Sequence, residues 1–155
     1  MATPVLGKKV PAFTVATTAA ERLTSKELAG TPYVLYFYPK DDTPGCTLES
    51  QGFRDHAAAF KRLKVRILGV SRDNLASHAK FKAKHSLPFD LLSDADEALC
   101  RLFDVIKEKN MYGKKVFGIE RSTFLVDADG VLRREWRKVK VDGHVEEVLA
   151  AAKEL

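Results

Sequence analysis

The run Pro32-Tyr-Val-Leu-Tyr-Phe-Tyr38-Pro39-Lys-Asp-Asp-Thr43-Pro-Gly-Cys46-Thr47 decides the fold of this 155-residue chain. Its first half is apolar at successive rather than alternate positions, so it reads as a strand covered on both faces. Pro39 ends that strand. Thr43 suits the N-cap of a following helix and Pro44 its first position. Phe53, Ala57, Phe60 and Leu63 then keep the spacing of one buried helical face to about residue 63. At such a strand-to-helix junction, free backbone N–H groups and the positive end of the helix dipole both favour a thiolate. Cys46 is therefore the candidate nucleophile.

Outward from this junction, strands and helices alternate. Val10–Phe13 and Val15–Thr17 read as short edge strands, with proline keeping them at the periphery, and Ser25–Leu28 as a short helical turn. Val65–Val70 is a second buried strand, Asn74–Lys84 a helix, Phe89–Leu92 a strand and Asp96–Phe103 a short helix. Arg121–Val126 and Val131–Trp136 form a hairpin closed by an Asp-Gly turn, and Asp142–Lys153 is an amphipathic helix. The pattern predicts an α/β three-layer sandwich with a mixed central sheet and an N-terminal β extension. No repeat or low-complexity linker divides the sequence, so residues 1–155 read as a single domain.

Composition excludes other classes. With 45% apolar and 30% charged residues, the chain is neither disordered nor fibrous. No stretch approaches the ~20 apolar residues that a membrane span requires, and the first nine residues lack a basic-then-apolar leader. Two distant cysteines are too few for a disulfide framework, which places the chain in a reducing cytoplasm. The net charge of +5 raises the question of nucleic acid. However, the clusters Arg133, Arg134, Arg137, Lys138, Lys140 and Lys80, Lys82, Lys84 lack an aromatic platform and read as solvated faces. His56, His78, His85 and His144 have no paired ligand spacing, and Asp127–Gly130 lacks the rest of a calcium loop, so no metal and no cofactor are expected.

The helix alone does not make a reactive thiolate. A free thiol with pKa ~8.5 is about 3% ionised at pH 7, and ionising most of it requires ~3.4 kcal/mol. A helix N-terminus contributes ~0.3–1 kcal/mol, and up to ~2 when partly buried. A hydroxyl donor and a cation must supply the rest. Thr43, three residues before Cys46, can offer the hydroxyl across the turn.

At this point the chain resembles a known family. Pro39-Lys-Asp-Asp-Thr43-Pro-Gly-Cys46 has the Pro-x-x-x-Thr-x-x-Cys form of the peroxiredoxins, and Phe37 through Glu49 is similar to the peroxiredoxin Q, or bacterioferritin comigratory protein, branch. The similarity continues through Leu68–Asp73, Leu91–Asp94 and Arg121–Gly130. It implies a thioredoxin-like fold and reduction of hydrogen peroxide or organic hydroperoxides. Under it, Cys46 attacks the O–O bond and becomes a sulfenic acid. Thr43 engages the thiolate and the peroxide oxygen. Arg121 is the missing cation, Pro39 shields the sulfur, and Glu49 orients an arginine without transferring a proton. Each also has a plainer reading: Thr43 as helix cap, Pro39 as strand terminator, Arg121 as a surface arginine.

Members of this branch place a second, resolving cysteine five residues after the first or in the next helix. Those positions are Gln51 and the Phe81–Ala83 stretch, with Lys82, so both are empty. Cys100 is the remaining candidate resolver. It lies at the border of the stripe Leu99, Leu102, Phe103, Ile106, near Asp96 and Asp104, and is disfavoured for that role because carboxylates oppose a thiolate. The expectation is a monomeric enzyme with a one-cysteine cycle, reduced by glutathione with glutaredoxin or by thioredoxin. The competing readings are a two-cysteine cycle through Cys100, a thioredoxin-like disulfide reductase and a non-enzymatic holdase. The reductase is weakened by Cys46-Thr-Leu-Glu49, which has one thiol where Cys-x-x-Cys is needed.

Overall fold

The computed structural model describes residues 3–19 and 22–155. Met1 and Ala2, part of the stretch read for a leader, lie outside the described residues. Seven strands form one mixed sheet: β1 (Thr14–Thr17), β2 (Leu23–Thr24), β3 (Tyr33–Phe37), β4 (Arg66–Ser71), β5 (Asp90–Ser93), β8 (Ser122–Val126) and β9 (Leu132–Trp136). Their order is β2-β1-β5-β4-β3-β8-β9. The parallel centre pairs β3 with β4 and β4 with β5, while β8 and β1 run antiparallel at either side. All five residues of β3 are buried, as its unbroken apolar run requires.

One face is covered by α1 (Pro44–Asp55), α2 (Ala57–Arg62), α3 (Leu75–Lys84) and α5 (His144–Ala152). They contribute Phe53, Phe60, Phe81 and Val148 to a core that also contains Tyr36 and Cys46. The other face packs α4 (Ala98–Leu102) and the 3₁₀ turn Ser25–Leu28 around Phe37, Phe103 and Phe124. These are the expected three layers; the N-terminal extension is β1, which overlaps the expected Val15–Thr17, together with β2, which the sequence reading did not include. The close fit of strand to strand needs Gly69, where a Cβ would stand 2.7 Å from the Tyr36 ring.

Three expectations need correction. Val10–Phe13 forms no strand; its Val10 N–H donates to the Gly130 carbonyl instead. The helix from Pro44 is interrupted at His56, whose imidazole lies on the Gly52 carbonyl. Ile106 belongs to no helical stripe. It opens β6 (Ile106–Met111), which pairs with β7 (Lys114–Ile119) as a separate two-stranded hairpin that the sequence reading missed. Its lysine-rich strands bury little, so hydrophobic alternation never signalled them.

Candidate active site

Cys46 is the third residue of α1, 1% exposed, and its helix starts directly from the loop that leaves β3. β8 pairs antiparallel with β3, Phe37 facing Ser122. The residue before Ser122, Arg121, therefore stands where β3 gives way to that loop, next to a cysteine 75 residues earlier in the chain. Its guanidinium divides its fork. One nitrogen donates to Glu49 Oε1 at 2.6 Å and the other to Cys46 Sγ at 3.4 Å. Gly45 permits this approach, since a Cβ there would lie 3.1 Å from the Arg121 nitrogen that meets the sulfur. Burial alone would loosen the Arg121 proton, but Glu49 and Cys46 outweigh it and hold the guanidinium charged, its pKa raised.

Glu49 is wholly buried, and its Oε2 has no hydrogen-bond partner among the described residues. Burial lifts its carboxyl to about 7, with the Arg121 charge and hydrogen bond acting the other way. A carboxyl whose folded pKa is raised stabilises the fold fully below its unfolded pKa, and loses that contribution as pH rises through its folded value. The expected result for Glu49→Gln follows. Between pH ~4.5 and ~7, wild type should lose stability relative to the variant, by up to about 3 kcal/mol at 1.36 kcal/mol per unit. Urea denaturation at a series of pH values measures this, and parallel profiles would contradict it.

The remaining expected site residues are placed less directly. Pro39 is half-buried at the end of β3. Thr43 has the extended backbone of an N-cap, but its side chain caps nothing: the hydroxyl donates to the Lys40 carbonyl at 2.9 Å. Thr43 is thus the N-cap by backbone position, while its hydroxyl turns to the Lys40 carbonyl and makes no cap bond. With its proton committed to Lys40, Thr43 Oγ1 keeps its lone pairs as acceptors. Cys100 is 0% exposed, and its backbone N–H donates to Asp94 Oδ2 at 2.6 Å. Burial first, then Asp94, pushes its thiol pKa up. The opposing carboxylate is thus Asp94, not Asp96 or Asp104 as the helical spacing suggested.

Sequence reasoning missed a buried network behind the loop. Asp41 accepts from Tyr38 Oη at 2.6 Å and Ser77 Oγ at 2.8 Å, and lies 2.7 Å from His78 Nδ1. His78 Nε2 faces the Leu92 carbonyl and donates to it. Asp73 accepts from the Asp41 N–H and from Ser71. Asp41, Asp73 and His78 thus bring their ligand-type atoms within 4.8 Å of one another. They spend them on hydrogen bonds that tie the Tyr38–Thr43 loop to α3 and the ends of β4 and β5. The available signal was His78 on the Phe81 face of α3, a polar side chain where the helix turns inward. The cationic clusters are engaged as well: Arg133 with Asp127, Arg134 with Glu154, Lys82 with Asp90 and Lys84 with Asp42.

Residues 6–135 match the family model described as AhpC/TSA family. The chain belongs to that family, as a peroxiredoxin. The relatives identify its branch. It is 58% identical over 130 residues to Peroxiredoxin Bcp of Xanthomonas campestris pv. campestris, covering 84% of this chain and 81% of that protein. It is also 48% identical over 150 residues to Peroxiredoxin Bcp of Bacillus subtilis, covering 97% and 96%. A cysteine-to-serine mutant of PrxQ from Xylella fastidiosa superposes with a TM-score of 0.92 at 40% identity, covering 99% of this peroxiredoxin and 98% of that chain. The peroxiredoxin is thus a thiol peroxidase of the Bcp, or PrxQ, type with the thioredoxin-like fold, acting on hydroperoxides with a thiol reductant. None of its described helices is long and apolar enough to cross a membrane.

Proposed function

We propose that this peroxiredoxin reduces hydrogen peroxide and organic hydroperoxides through Cys46 in a one-cysteine cycle closed by an external thiol. The observation that carries the site is the Arg121 fork between Glu49 and Cys46 Sγ. Arg121 donates to the sulfur and sets a positive charge beside it, and Glu49 fixes the guanidinium plane while leaving one prong for the sulfur. The thiolate attacks one peroxide oxygen. An S–O bond forms as the O–O bond breaks, and the departing alkoxide or hydroxide takes a proton to leave as alcohol or water. Arg121 offsets the charge that moves from sulfur to oxygen. Thr43 Oγ1, its own proton on Lys40, accepts from the peroxide O–H, and Pro39 limits water at the sulfur. An incoming thiol then forms a mixed disulfide with Cys46 and releases water. A second thiol frees the Cys46 thiolate.

The position of Cys100 supports the one-cysteine reading. Cys46 belongs to the core on one face of the sheet and Cys100 to the core on the other, so a disulfide between them requires large unfolding. Cys100→Ala is expected to keep thiol-dependent turnover within about twofold, with a stability loss of about 1 kcal/mol for the vacated space. A tenfold loss of turnover would instead assign Cys100 the resolving role. In this proposal residues 1–155 act as one monomeric, cytoplasmic unit whose reductant is thioredoxin, or glutathione with glutaredoxin. Steady-state peroxide turnover with the two systems side by side tests it. Turnover with at least one is expected, and turnover with neither would contradict it.

A further inference from the structure

The β6–β7 hairpin lies outside the seven-stranded sheet, and its composition is odd for a surface ribbon. Tyr112 is 99% exposed and Phe117 63% exposed, with Val116 exposed beside it. Tyr112 and Gly113 form the two-residue turn, with φ of 54° and 78°. Both turn positions need positive φ, which Asn-Gly would meet without strain; a bulky aromatic meets it poorly. Neither burial nor turn chemistry explains an aromatic side chain there.

Charge adds a second feature. The segment Ile106–Ile119 carries Lys107, Lys109, Lys114 and Lys115 against one acid, Glu108. Lys107 reaches Asp104, Lys109 the Ile119 carbonyl, and Lys115 lies 3.7 Å from Glu108. The surface therefore presents exposed aromatics within a net positive field.

Its base sits at the catalytic end of the sheet. Arg72, just past β4, donates to the Phe117 carbonyl at 3.4 Å and is itself held by Glu97. The Glu120 N–H donates to the Val105 carbonyl at 2.7 Å, and Arg121 follows directly. One residue, Glu120, separates the end of the hairpin from Arg121, whose guanidinium meets Cys46.

We propose that the β6–β7 hairpin is the docking surface for the protein thiol that reduces Cys46. The partner is a thiol protein with an acidic face, its apolar centre seated on Tyr112 and Phe117 and its carboxylates on Lys114 and Lys115. Aromatic anchors inside a charged rim are the usual anatomy of a protein contact, and opposite fields speed encounter. A second copy of this chain fits poorly, since it presents the same lysines and a net charge of +5. The inference rests on the external-thiol cycle proposed above.

The test compares wild type with Tyr112→Ser/Phe117→Ser and with Lys114→Glu/Lys115→Glu, supplied with thioredoxin, thioredoxin reductase and NADPH, or with dithiothreitol. Both variants should lose about tenfold in kcat/KM for thioredoxin. Their rates of Cys46 oxidation by peroxide and of reduction by dithiothreitol should stay unchanged, and the lysine variant should lose most of the salt dependence. Equal thioredoxin kinetics in wild type and variants would overturn the docking surface and leave the cycle standing. If wild type turns over with dithiothreitol but with no protein thiol, the cycle's partner assignment fails, and the surface with it. If the variants lose affinity for a single-stranded oligonucleotide while thioredoxin kinetics are unchanged, the hairpin is a nucleic-acid contact and the proposal is overturned.

Discussion

Replacing Cys46 by serine is expected to abolish peroxide consumption, by more than about 10⁴-fold, the scale on which removal of a covalent nucleophile acts. The effect should be this large because no second route exists at the site. Cys100 lies across the sheet with its thiol pushed up by burial and by Asp94, and it cannot substitute. A serine hydroxyl beside Arg121 remains protonated at neutral pH and is no nucleophile toward an O–O bond. The fold should tolerate the exchange, since among the described residues the sulfur's polar contact is the one from Arg121. Peroxide loss in a ferrous xylenol orange assay measures the effect. Retention of even one tenth of wild-type turnover would move the chemistry elsewhere.

Arg121→Met is expected to lower kcat/KM for peroxide by about 10²–10³-fold, equivalent to ~2.7–4 kcal/mol of lost transition-state stabilisation. The same change strips the buried Glu49 of its counter-ion, and breaking a buried pair costs ~3–5 kcal/mol. Stability and activity therefore fall together in the single variant. The double variant Arg121→Met/Glu49→Gln separates them. A neutral amide relieves the uncompensated charge, so stability should largely return, whereas activity should not, because the sulfur still lacks its cation. Arg121→Lys should recover activity only in part, since one ammonium cannot span Glu49 and Cys46 as a planar fork does. Recovery of full activity in the double variant would show that Arg121 only stabilises the fold.

Most of the architecture was legible because its signals were local. β3 announced itself by five consecutive apolar residues, and α1 by Thr43-Pro44 followed by a helical stripe. The layers followed from alternation. The Arg121–Glu49–Cys46 arrangement could be named only through the motif resemblance. Its members lie up to 75 residues apart, and the register of β8 on β3, which brings them together, is set by tertiary pairing. The Asp41–His78 network was invisible for the same reason, spanning 37 residues between a loop and a helix. The β6–β7 hairpin escaped for the opposite reason: a strand pair that buries little leaves no apolar pattern to read. Thr43 shows a third kind of failure. Its place at the helix start was legible, but not that its hydroxyl would donate to the Lys40 carbonyl.

The most direct test treats the reduced protein with one equivalent of hydrogen peroxide and takes the intact mass, followed by peptide mapping. The account predicts a monomer that has gained one oxygen atom at Cys46, reverts on addition of dithiothreitol, and behaves identically in Cys100→Ala. A monomer that has instead lost two hydrogens through a Cys46–Cys100 disulfide, or one whose oxygen lies elsewhere while Cys46 still alkylates, would contradict it.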